Sequence, residues 1–523
     1  MADIASVILL IIVLIILFIP AVFMLFGFFV DRNQKRHAVL RNYPLIGRVR
    51  YFLESIGPEL RQYLFTEDET GKPFSRKDYQ DIVIPAKYKN RLLGFGSKRD
   101  FDQPGYYIKN TMFPKLENEL SIEHQPSVKT KVYHIEKENL FSRKEHRKGK
   151  KVSPYLLGEK NEVVIGEKTN HPFHVKGLVG MSGMSYGALG DRAITALSIG
   201  LGRAGGTWMN TGEGGISDYH LKGNVDLIMQ IGPALYGVRT KNGEMSWEEL
   251  KKKASVEQVK AFELKLAQGA KTRGGHLEAA KVTEEVARNR NIEPFQESDS
   301  PNRFREFNDV YGMLDFIEKI RDVAEKPVGI KIVVGQENDV QELANAMKET
   351  GKKPDFISVD GGEGGTGATY QELTDSVGLP IKSAIPILHQ ALIQAGVRED
   401  VKIIASGKLF TPDRIAFVLA LGADLVQLAR AFMITTGCIM AQVCHTNHCP
   451  VGVATTNPKL QQALNIEEKS YRVTNYVISI REGLYNLSAA AGLESPTQLK
   501  EKHVAYKDLY DVVYENHLMT NQK

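Results

Sequence analysis

The sequence V-G-I-K-I-V-V, residues 328–334, gives the clearest indication of the fold. Its residues are apolar apart from Lys331, and a short apolar run of this kind is typical of a strand buried on both faces. A helix is predicted after it over Val340–Glu349, and a second strand over Phe356–Asp360. A strand, a helix and a strand in this order predict a parallel β/α unit.

The same alternation extends along the chain on both sides of this unit. Repeated β/α units predict an α/β fold, a (β/α)8 TIM barrel that closes near Phe432. No period of about 20–50 residues repeats, so the sequence excludes a solenoid. The other predicted strands and helices of the barrel are Val175–Met181, Asp191–Arg203, Ile385–Ala395, Val401–Ala405, Pro412–Leu421 and Asp424–Leu428.

Length and charge narrow the classes of function. A chain of 523 residues has room for one large barrel with appendages. Its formal net charge of +5 is small and diffuse, and no Lys/Arg block alternates with aromatic residues, so nucleic-acid binding is not expected. We expect a transmembrane helix over residues 1–31, an extension packed on the barrel over 32–166, the barrel over 167–458 and a helical segment over 459–523.

An uncharged apolar run, Val7–Val30, lies at the N-terminus. It is long enough to cross a bilayer of about 30 Å as a helix, with a kink at Pro20. Only Asp3 is charged before the run and no small-residue cleavage site follows it, which disfavours a cleaved signal peptide. The basic residues just after the run predict a single-pass protein of the cell membrane with the bulk of the chain in the cytoplasm. These residues are Arg32, Lys35, Arg36, Arg41, Arg48 and Arg50.

The segment from Tyr51 to about Gly166 is mixed in composition and rich in charged and aromatic residues. We interpret it as an irregular extension without a pattern of catalytic residues. Its most charged part, Lys137–Lys151, is predicted to be a solvated loop, and contact of this loop with anionic lipid is a second interpretation.

Glycine-rich loops follow several of the predicted strands. The loops at the carboxyl ends of the strands carry the functional residues in a barrel of this type. Glycine lets backbone amides approach an anion or a flat ring closely, although it also serves ordinary turns. Several such loops on one rim predict a cofactor that carries a phosphate. The loops are Asn210–Gly215, Gly274–Gly275, Asp360–Gly367 and Ser406–Gly407.

The last two β/α units predict where this phosphate is held. Loops after the seventh and eighth strands of such barrels often bind phosphate, which makes FMN the natural occupant. We expect backbone amides near Ser406 and Gly407 to hold it, together with those near Ala429 and Arg430. Lys408 or Arg430 would add charge, and the alternative is that both are ordinary exposed residues of the rim.

Lys331 is the one charged residue in its predicted strand. A cation under a flavin ring stabilises the anionic reduced form, and we assign this role to Lys331. The alternative is a structural pair with an acidic residue.

One loop, Thr436–Ala454, holds all three cysteines of the chain, and a disulfide would leave one of them over. A zinc site would add His445 or His448, but zinc ligands are usually closer in sequence. An iron-sulfur cluster with three irons, or four with one iron open, suits three thiolates and the Cys-Pro ending at Pro450. Unligated buried thiols are the third interpretation, which a polar loop disfavours. The cysteines are Cys438, Cys444 and Cys449.

The chain from about Gly180 to Pro458 resembles the FMN-binding synthase domain of glutamate synthase, and the whole looks like a stand-alone, membrane-anchored protein of that kind. The resemblance implies that the three cysteines ligate a 3Fe-4S cluster. The matching motifs are G-M-S-Y-G-A-L, N-T-G-E-G-G, A-Q-G-A-K, V-G-I-K-I-V, G-G-T-G-A and the highly specific C-I-M-A-Q-V-C-H-T-N-H-C-P-V-G-V-A-T. The residues expected to contact FMN in this part of the chain also include Ser182, Gly183, Met184, Asn210, Asp360, Gly361, Gly362, Gly365, Thr366 and Gly367.

The resemblance implies a reaction as well. Members of the family add ammonia to 2-oxoglutarate and reduce the resulting imine with reduced FMN, which forms L-glutamate, while the cluster relays electrons. Lys271 matches the substrate-binding lysine of the family. Glu213 matches an acidic residue of the same cavity, and we infer that it handles protons.

The loop after Lys271 departs from the family pattern. The family has P-G-E-G-G-Q there, whereas this chain has the shorter Thr272–His276, with His276 in place of a substrate-contacting glutamine. Arg273 in this loop indicates an anionic substrate, so a 2-oxo acid stays the leading class. Arg273 and His276 are alternatively ordinary exposed loop residues.

Two parts of full glutamate synthases have no counterpart in this sequence. The chain begins with Met-Ala-Asp, not with a nucleophilic cysteine, so we expect nitrogen from free ammonia or a separate glutaminase-like chain. Only helical sequence is predicted after Pro458, where the family has a β-helix.

The G-x-G-x-x-G spacing that follows a predicted strand, Gly362–Gly367, does not open a predicted helix as a dinucleotide site would, so a ferredoxin or a reductase subunit is the expected electron donor. One alternative function is a related synthase that uses another amine, such as methylamine to form N-methylglutamate. A second is a non-catalytic electron-transfer subunit.

Overall fold

The computed structural model describes residues 2–97, 99–139, 142–269, 271, 274–510 and 512–515. The chain divides into two compact units, of which the first ends at Gln80 and the second begins at Asp81. Every residue that the sequence predicts to bind a ligand belongs to the second unit.

A long helix begins the first unit. Its span Ser6–Asn33 is long and apolar enough to cross a membrane, since an 18-residue window of the span has a mean hydropathy of 3.5. Pro20 lies inside this helix. The carboxylate of Asp31 pairs with Arg48 at 2.6 Å, which ties the end of this helix to a later one. The helices of this unit are Ala2–Asn33, Ala38–Asn42 and Ile46–Leu60, followed by a π-helical turn at Arg61–Phe65. The helix Arg76–Tyr88 crosses the boundary between the units.

Eight parallel strands close into a barrel in the second unit, which confirms the predicted α/β fold. Strand β8 pairs with β1 and closes the cylinder, with Val426 opposite Val179. The strands are β1 (Val179–Met181), β2 (Trp208–Asn210), β3 (Asp226–Ile231), β4 (Val259–Lys265), β5 (Val328–Ile332), β6 (Phe356–Asp360), β7 (Lys402–Ser406) and β8 (Leu425–Leu428).

Helices lie between the strands and continue after them, and several begin or end within a few residues of the predicted bounds. Their apolar residues are largely buried, as expected for helices that cover a parallel sheet. They are α1 (Asp191–Ala204), α2 (Asp218–Leu221), α3 (Trp247–Ala254), α4 (Glu284–Arg290), α5 (Val310–Ala324), α6 (Glu337–Thr350), α7 (Gln371–Ser376), α8 (Ile381–Ala395), α9 (Pro412–Ala420), α10 (Arg430–Thr435), α11 (Pro458–Gln461) and α12 (Ile466–Ala490).

Large rings fill part of the barrel because glycine stands opposite them. A Cβ atom at Gly180 would lie 2.2 Å from the ring of Trp208, and one at Gly329 would lie 2.5 Å from the ring of Phe356. Both rings are fully buried. The barrel is therefore closed by side chains, as expected for eight strands, and the candidate site lies at its carboxyl end.

The predicted strand Val175–Met181 is two strands. Phe173–Val175 pairs antiparallel with Val163–Ile165, whereas β1 begins only at Val179. Between them, a Cβ atom at Gly177 would lie 2.4 Å from the guanidinium of Arg481, so the chain passes close to a buried charge there. This long-range contact interrupts a run that looks continuous in the sequence.

The prediction of a solvated loop over Lys137–Lys151 is wrong. These residues belong to an antiparallel hairpin of the strands Val128–Glu138 and Arg143–Val152. Backbone hydrogen bonds between the two strands satisfy their polar groups. Only the end of the hairpin away from its turn is buried, through apolar residues such as Val132. A hairpin that is solvated over most of its length needs no apolar alternation, so hydrophobic periodicity gives little signal for it.

The expectation that only helical sequence follows Pro458 is also wrong. Helix α12 is present and covers the predicted helix, but Val504–Lys507 and Val513–Glu515 are strands. They form a three-stranded sheet with Gly105–Ile108, in which Tyr106 is opposite Tyr506. The partner strand lies about four hundred residues away in the sequence, which no local pattern reveals.

Short antiparallel pairs complete the second unit. They are Ile122–Glu123 with Leu156–Leu157, Val163–Ile165 with Phe173–Val175, and His276–Leu277 with Ser298–Asp299. Residues of the extension after Asp81 contact α12 directly, because Thr130 donates a hydrogen bond to Asn475 at 2.7 Å and Tyr485 donates one to the carbonyl of Ser121 at 2.8 Å.

Candidate functional site

A buried polar network lies at the carboxyl end of the barrel. Glu263 of β4 is fully buried and accepts hydrogen bonds from Asn210 and Gln230, each at 2.7 Å, and from Ser358. The side-chain oxygen of Asn210 accepts a hydrogen bond from the amide of Gly212 at 3.0 Å, which fixes the start of the predicted Asn210–Gly215 loop. Buried polar groups that are satisfied in this way hold a site rigidly.

Lys331 contacts two other residues that the sequence predicts to bind the cofactor. Its ammonium lies 2.9 Å from the hydroxyl of Ser182 and 3.2 Å from the carboxylate of Asp360, and only 1% of its side chain is exposed. The other oxygen of Asp360 is buried and has no hydrogen-bond partner among the described residues. The expected ion pair of Lys331 with an acidic residue is therefore present, and the second carboxylate oxygen of Asp360 can accept a hydrogen bond from a ligand.

Further observations fit the ring of a flavin against these residues. Both polar atoms of the Gln427 side chain are buried without a partner among the described residues. Gln427 pairs with Gly180 across β8 and β1 and so shares its face of the barrel. Unpartnered buried amides are rare, and a ring with donors and acceptors along its edge is the kind of group that satisfies them.

The predicted phosphate loops also come together. A Cβ atom at Gly365 would lie 3.0 Å from the guanidinium of Arg430, and Arg430 donates a hydrogen bond to the carbonyl of Glu363. Gly407 has φ +151° and Lys408 has φ +50°, so the backbone after β7 turns sharply. Burial lowers the pKa of Arg430, although Asp360 and Glu363 oppose this.

The remaining predicted FMN residues differ in burial. Met184 is buried, and a Cβ atom at Gly183 would lie 3.0 Å from the side chain of Asn210, so this loop borders the network. Gly367 is exposed with open space around it, and Thr366 is half-buried. The far end of the Asp360–Gly367 loop is thus on the outside of the site. Gly361 and Gly362 directly follow β6, and Ala429 directly follows β8.

Glu363 is a group in the phosphate region that the sequence analysis missed. Its carboxylate accepts hydrogen bonds from the amide of Ile381 at 3.0 and 3.2 Å, at the first turn of α8. It also lies 3.2 Å from the place a Cβ atom of Gly407 would occupy. Burial raises the pKa of Glu363, which favours the neutral form that tolerates a neighbouring anion.

Glu213 and Lys271, the two predicted catalytic residues, form an ion pair at 3.3 Å. Lys265 joins them at 3.1 Å from the same oxygen, Oε1. Burial alone would raise the pKa of Glu213, but the charges of the two lysines lower it well below its usual range. Burial lowers the pKa of Lys265 to about 8, against the effect of Glu213.

Arg290, at the end of α4, is a further cation that the sequence analysis missed. It is 5% exposed, and its Nε atom has no hydrogen-bond partner among the described residues. Its guanidinium lies 5.0 Å from the ring centre of Tyr236 and 3.4 Å from the place a Cβ atom of Gly214 would occupy. Since Gly214 follows Glu213, three cations lie around Glu213, and only the A-Q-G-A-K motif gave a signal for one of them.

His276 is held by acidic residues and not by the three cations. Its Nδ1 atom lies 2.9 Å from Asp299 and its Nε2 atom 3.5 Å from Glu278. The hydrogen bond with Asp299 raises the pKa of His276. The predicted contact of His276 with substrate stays a prediction, and Arg273 lies outside the described residues.

The three cysteines line one pocket beside apolar residues such as Met433 and Val453. Among the described residues, only His276, Glu278 and Glu297 bring three candidate ligand atoms within 4.8 Å of one another, so at least two of the three cysteine sulfur atoms are more than 4.8 Å apart. Sulfurs around a single zinc ion would be about 3.8 Å apart, as follows from zinc–sulfur bonds of about 2.3 Å. The pocket fits a cluster of several irons better than one zinc ion.

The histidines of the loop agree with this. The Nδ1 atom of His448 lies 2.7 Å from the carbonyl oxygen of Thr446, and His445 and His448 are both exposed. Burial raises the pKa of Cys438 to about 11 and also raises that of Cys444. Thiols with raised pKa values ionise only with a partner that stabilises the thiolate, which iron provides.

Lys281 joins the cysteine loop to the G-M-S-Y-G-A-L loop, and the sequence analysis missed it. Its ammonium donates hydrogen bonds to the carbonyl of Cys444 at 2.7 Å and to that of Ala188 at 3.2 Å. The residue is 3% exposed, and burial lowers its pKa to about 8. A buried cation thus lies between the two halves of the candidate site.

Comparisons with known proteins agree with this geometry. A family model described as the conserved region in glutamate synthase matches residues 116–494. The chain is 60% identical over 493 residues to the glutamate synthase large subunit-like protein YerD of Bacillus subtilis, a match that covers 94% of both chains.

Two more distant relatives are 31% identical to the chain. One is an archaeal-type NADPH glutamate synthase of Thermotoga neapolitana, with 64% of this chain and 63% of that protein covered. The other is a ferredoxin-dependent glutamate synthase of Cyanidium caldarium, with 67% of this chain and 23% of that protein covered.

Proposed function

Because the chain belongs to the glutamate synthase family, we propose that it is an oxidoreductase that converts 2-oxoglutarate and ammonia into L-glutamate with FMN and a 3Fe-4S cluster. The observation that carries this proposal is the group formed by Glu213 with Lys265 and Lys271 beside Arg290. It lies at the end of the barrel that also holds Lys331 and the glycine loops.

The charges of this group match the substrate. Lys265, Lys271 and Arg290 supply three positive charges when all are protonated, and the carboxylate of Glu213 cancels one of them. The remaining two positive charges balance a dicarboxylate such as 2-oxoglutarate. Buried charges without partners are costly, so an anionic ligand accounts for this arrangement better than a purely structural role does.

The protonation states suit the formation of an imine. Glu213 stays ionised at neutral pH because the two lysines lower its pKa, so it is a weak base whose part is to hold the two ammonium groups in place. Lys265, with a pKa of about 8, can give a proton to the oxygen that leaves the 2-oxo carbon as water. Glu213 lies 3.1 Å from Lys265 and keeps it oriented, so the neutral amine of Lys265 can take a proton back from the attacking nitrogen.

Two other sets of residues would hold the cofactors. Lys331, Ser182 and Asp360 would face the flavin ring, with the phosphate at Gly407 and Arg430. When bound, FMN supplies the hydride for the imine carbon and the cluster on Cys438, Cys444 and Cys449 supplies electrons singly. Overall, 2-oxoglutarate, ammonia, two electrons and two protons give L-glutamate and water.

We propose a ferredoxin or a reductase subunit as the electron donor, since the G-x-G-x-x-G spacing of the chain after β6, Gly362–Gly367, belongs to the loop that we assign to FMN. One relative of this chain is named as ferredoxin-dependent, and another as using NADPH. Nitrogen would come as free ammonia or from a separate glutaminase-like chain.

We also propose that the protein is anchored in the cell membrane by the span Ser6–Asn33, with its catalytic part in the cytoplasm. The length and apolar composition of the span support the anchor, and the basic residues that follow it support the orientation.

A related synthase with another amine is the second candidate. The observation in its favour is His276, which pairs with Asp299 and Glu278 where the family has a glutamine. An altered wall of the cavity would change the amine or the 2-oxo acid, with methylamine as the amine to test first. The non-catalytic alternative fits less well, because an electron-transfer subunit has no use for a costly buried group of three cations and a carboxylate.

The test uses the full chain purified in detergent and kept free of oxygen. It is reduced with dithionite, freed of excess reductant and mixed with 2-oxoglutarate and ammonium. Return of the oxidised-flavin absorbance together with glutamate formation is the expected result, and 2-oxoglutarate alone is the control. A flavin that stays reduced with ammonium but reoxidises with methylammonium would transfer the proposal to the second candidate, and absence of flavin would overturn both.

A further inference from the structure

One hairpin of the second unit is strongly basic. Residues 128–152 contain nine basic and three acidic side chains, a net charge of +6, whereas the entire chain carries +5. The rest of the chain has a net charge of −1, and within it residues 32–50 carry six basic and no acidic side chains. The expectation that the charge is diffuse is therefore wrong, because these two stretches carry more positive charge than the whole chain does.

Most of this charge is free to act on a partner. Arg143, Lys144 and Lys131 form ion pairs with neighbouring acidic residues. Six other basic residues are exposed and form no ion pair within the part of the chain that the structure describes: Lys129, Lys137, Arg147, Lys148, Lys150 and Lys151. Four of these six lie on the outer strand Arg143–Val152, whose free edge faces away from its partner strand.

The hairpin is continuous with the cysteine loop through the first turn of α12. Lys131 pairs with Glu467 at 2.6 Å, and Tyr133 donates a hydrogen bond to Glu468. The next residue, Lys469, has its ammonium 3.4 Å from the place a Cβ atom of Gly437 would occupy. Gly437 directly precedes Cys438, so the inner strand Val128–Glu138 of the hairpin is connected through α12 to the loop of the three thiols.

We propose that the outer strand Arg143–Val152 is the docking surface for a small acidic protein that carries single electrons. This inference rests on the proposed function, and it specifies where the electron donor binds. A donor must bind close to the cysteine loop, and the hairpin is a strongly basic element that is connected to this loop through the first turn of α12. Each docked carrier is oxidised by one electron, and two carriers with two protons from solvent supply the reduction of one imine.

The geometry of the strand favours a protein over a lipid surface. Successive residues of a strand point to opposite faces, so Arg147 and Lys148 point to different sides of the hairpin. A flat bilayer would meet one side only, whereas an acidic protein can enclose the free edge and meet both. Complementary charge of this kind raises the association rate, and salt weakens the effect.

The experiment measures electron transfer into the full chain in detergent from a reduced acidic 2Fe-2S ferredoxin, by stopped flow at several ionic strengths. The test variant combines Lys148→Glu, Lys150→Glu and Lys151→Glu. The matched control combines Lys160→Glu, Lys500→Glu and Lys502→Glu, which makes the same change in net charge beside Lys402, at the amino end of the barrel. Reduction by dithionite, which needs no docking surface, reports whether the redox centres are intact.

We expect the test variant to accept electrons from ferredoxin at least tenfold more slowly at low salt, with a flat salt dependence, while the control variant and both dithionite rates match the unmodified protein. An unchanged ferredoxin rate in the test variant would overturn the docking site. So would a test variant that loses binding to nanodiscs of phosphatidylcholine with phosphatidylglycerol but keeps its ferredoxin rate, because the strand would then be a lipid surface. If dithionite reduces no centre even in the unmodified protein, the proposed function fails and the docking site fails with it.

Discussion

The barrel mouth and the cysteine loop contribute to the same candidate site in opposite ways. The cysteine loop is one continuous stretch, Thr436–Ala454, and all three thiols come from it. The mouth is assembled from the ends of several strands, with Lys265 from β4, Lys331 from β5 and Asp360 from β6. A set of ligands within one loop can therefore be predicted from the sequence, whereas a network of charges from several strands cannot.

The loss of one cysteine should have the largest effect, and this effect should be confined to one of the two regions. We expect Cys444→Ser to abolish the iron-sulfur signal and the bound iron while FMN stays bound, because the thiolate is a cluster ligand and the flavin residues belong to other loops. Iron analysis, electron paramagnetic resonance and flavin absorbance measure this. Loss of FMN with no change in iron would contradict the division into two regions.

Lys271→Met is the matching change in the mouth. It removes one of the two lysines on Glu213, so we expect kcat/KM for the 2-oxo acid to fall about 10²–10³-fold while FMN and iron contents stay normal. Lys348→Met is the control, since Lys348 is exposed near the end of α6. Equal activity of the two variants would exclude Lys271 from substrate binding.

The pH dependence sharpens the assignment of the mouth. Lys265 loses its proton as the pH rises through its pKa of about 8, and the cavity then loses one positive charge. We expect the KM for the 2-oxo acid to rise about tenfold above that pH, the size of one charged hydrogen bond. In Lys265→Arg the rise should move to higher pH, because a guanidinium keeps its charge, and an unchanged profile would contradict the assignment.

The smallest effect concerns Lys281, which belongs to neither region alone. Its ammonium bonds to the carbonyls of Cys444 and Ala188. We expect Lys281→Met to retain iron but to lower the reduction potential of the cluster, because a buried cation stabilises the more negative reduced form. The free energy of reduction should become less favourable by on the order of 1–2 kcal/mol. Lys281→Arg should restore most of the potential. A potential that stays the same in Lys281→Met would assign this lysine a packing role only.

Where the sequence succeeded, the signal was local. The strand V-G-I-K-I-V-V and the repeated β/α units predicted the barrel, since buried parallel strands are apolar runs. The pair of Lys331 with Asp360 was anticipated only as an unnamed acidic partner. The predictions for the hairpin at residues 128–152 and for the C-terminal strands were wrong, because solvated or long-range strand pairing leaves little local pattern in the sequence.

The barrel, the single loop of thiols and the apolar span at the N-terminus are predictable from the sequence, because each depends on residues that are neighbours along the chain. Folding was needed to show that Lys265 and Arg290 join Lys271 around Glu213, that Lys281 lies between two loops, and that the basic hairpin is connected to the cysteine loop. Electrostatic interactions depend on distance in space, which the order of residues does not reveal. Residues separated by many positions acquire a common function only when the closed barrel brings the ends of its strands together.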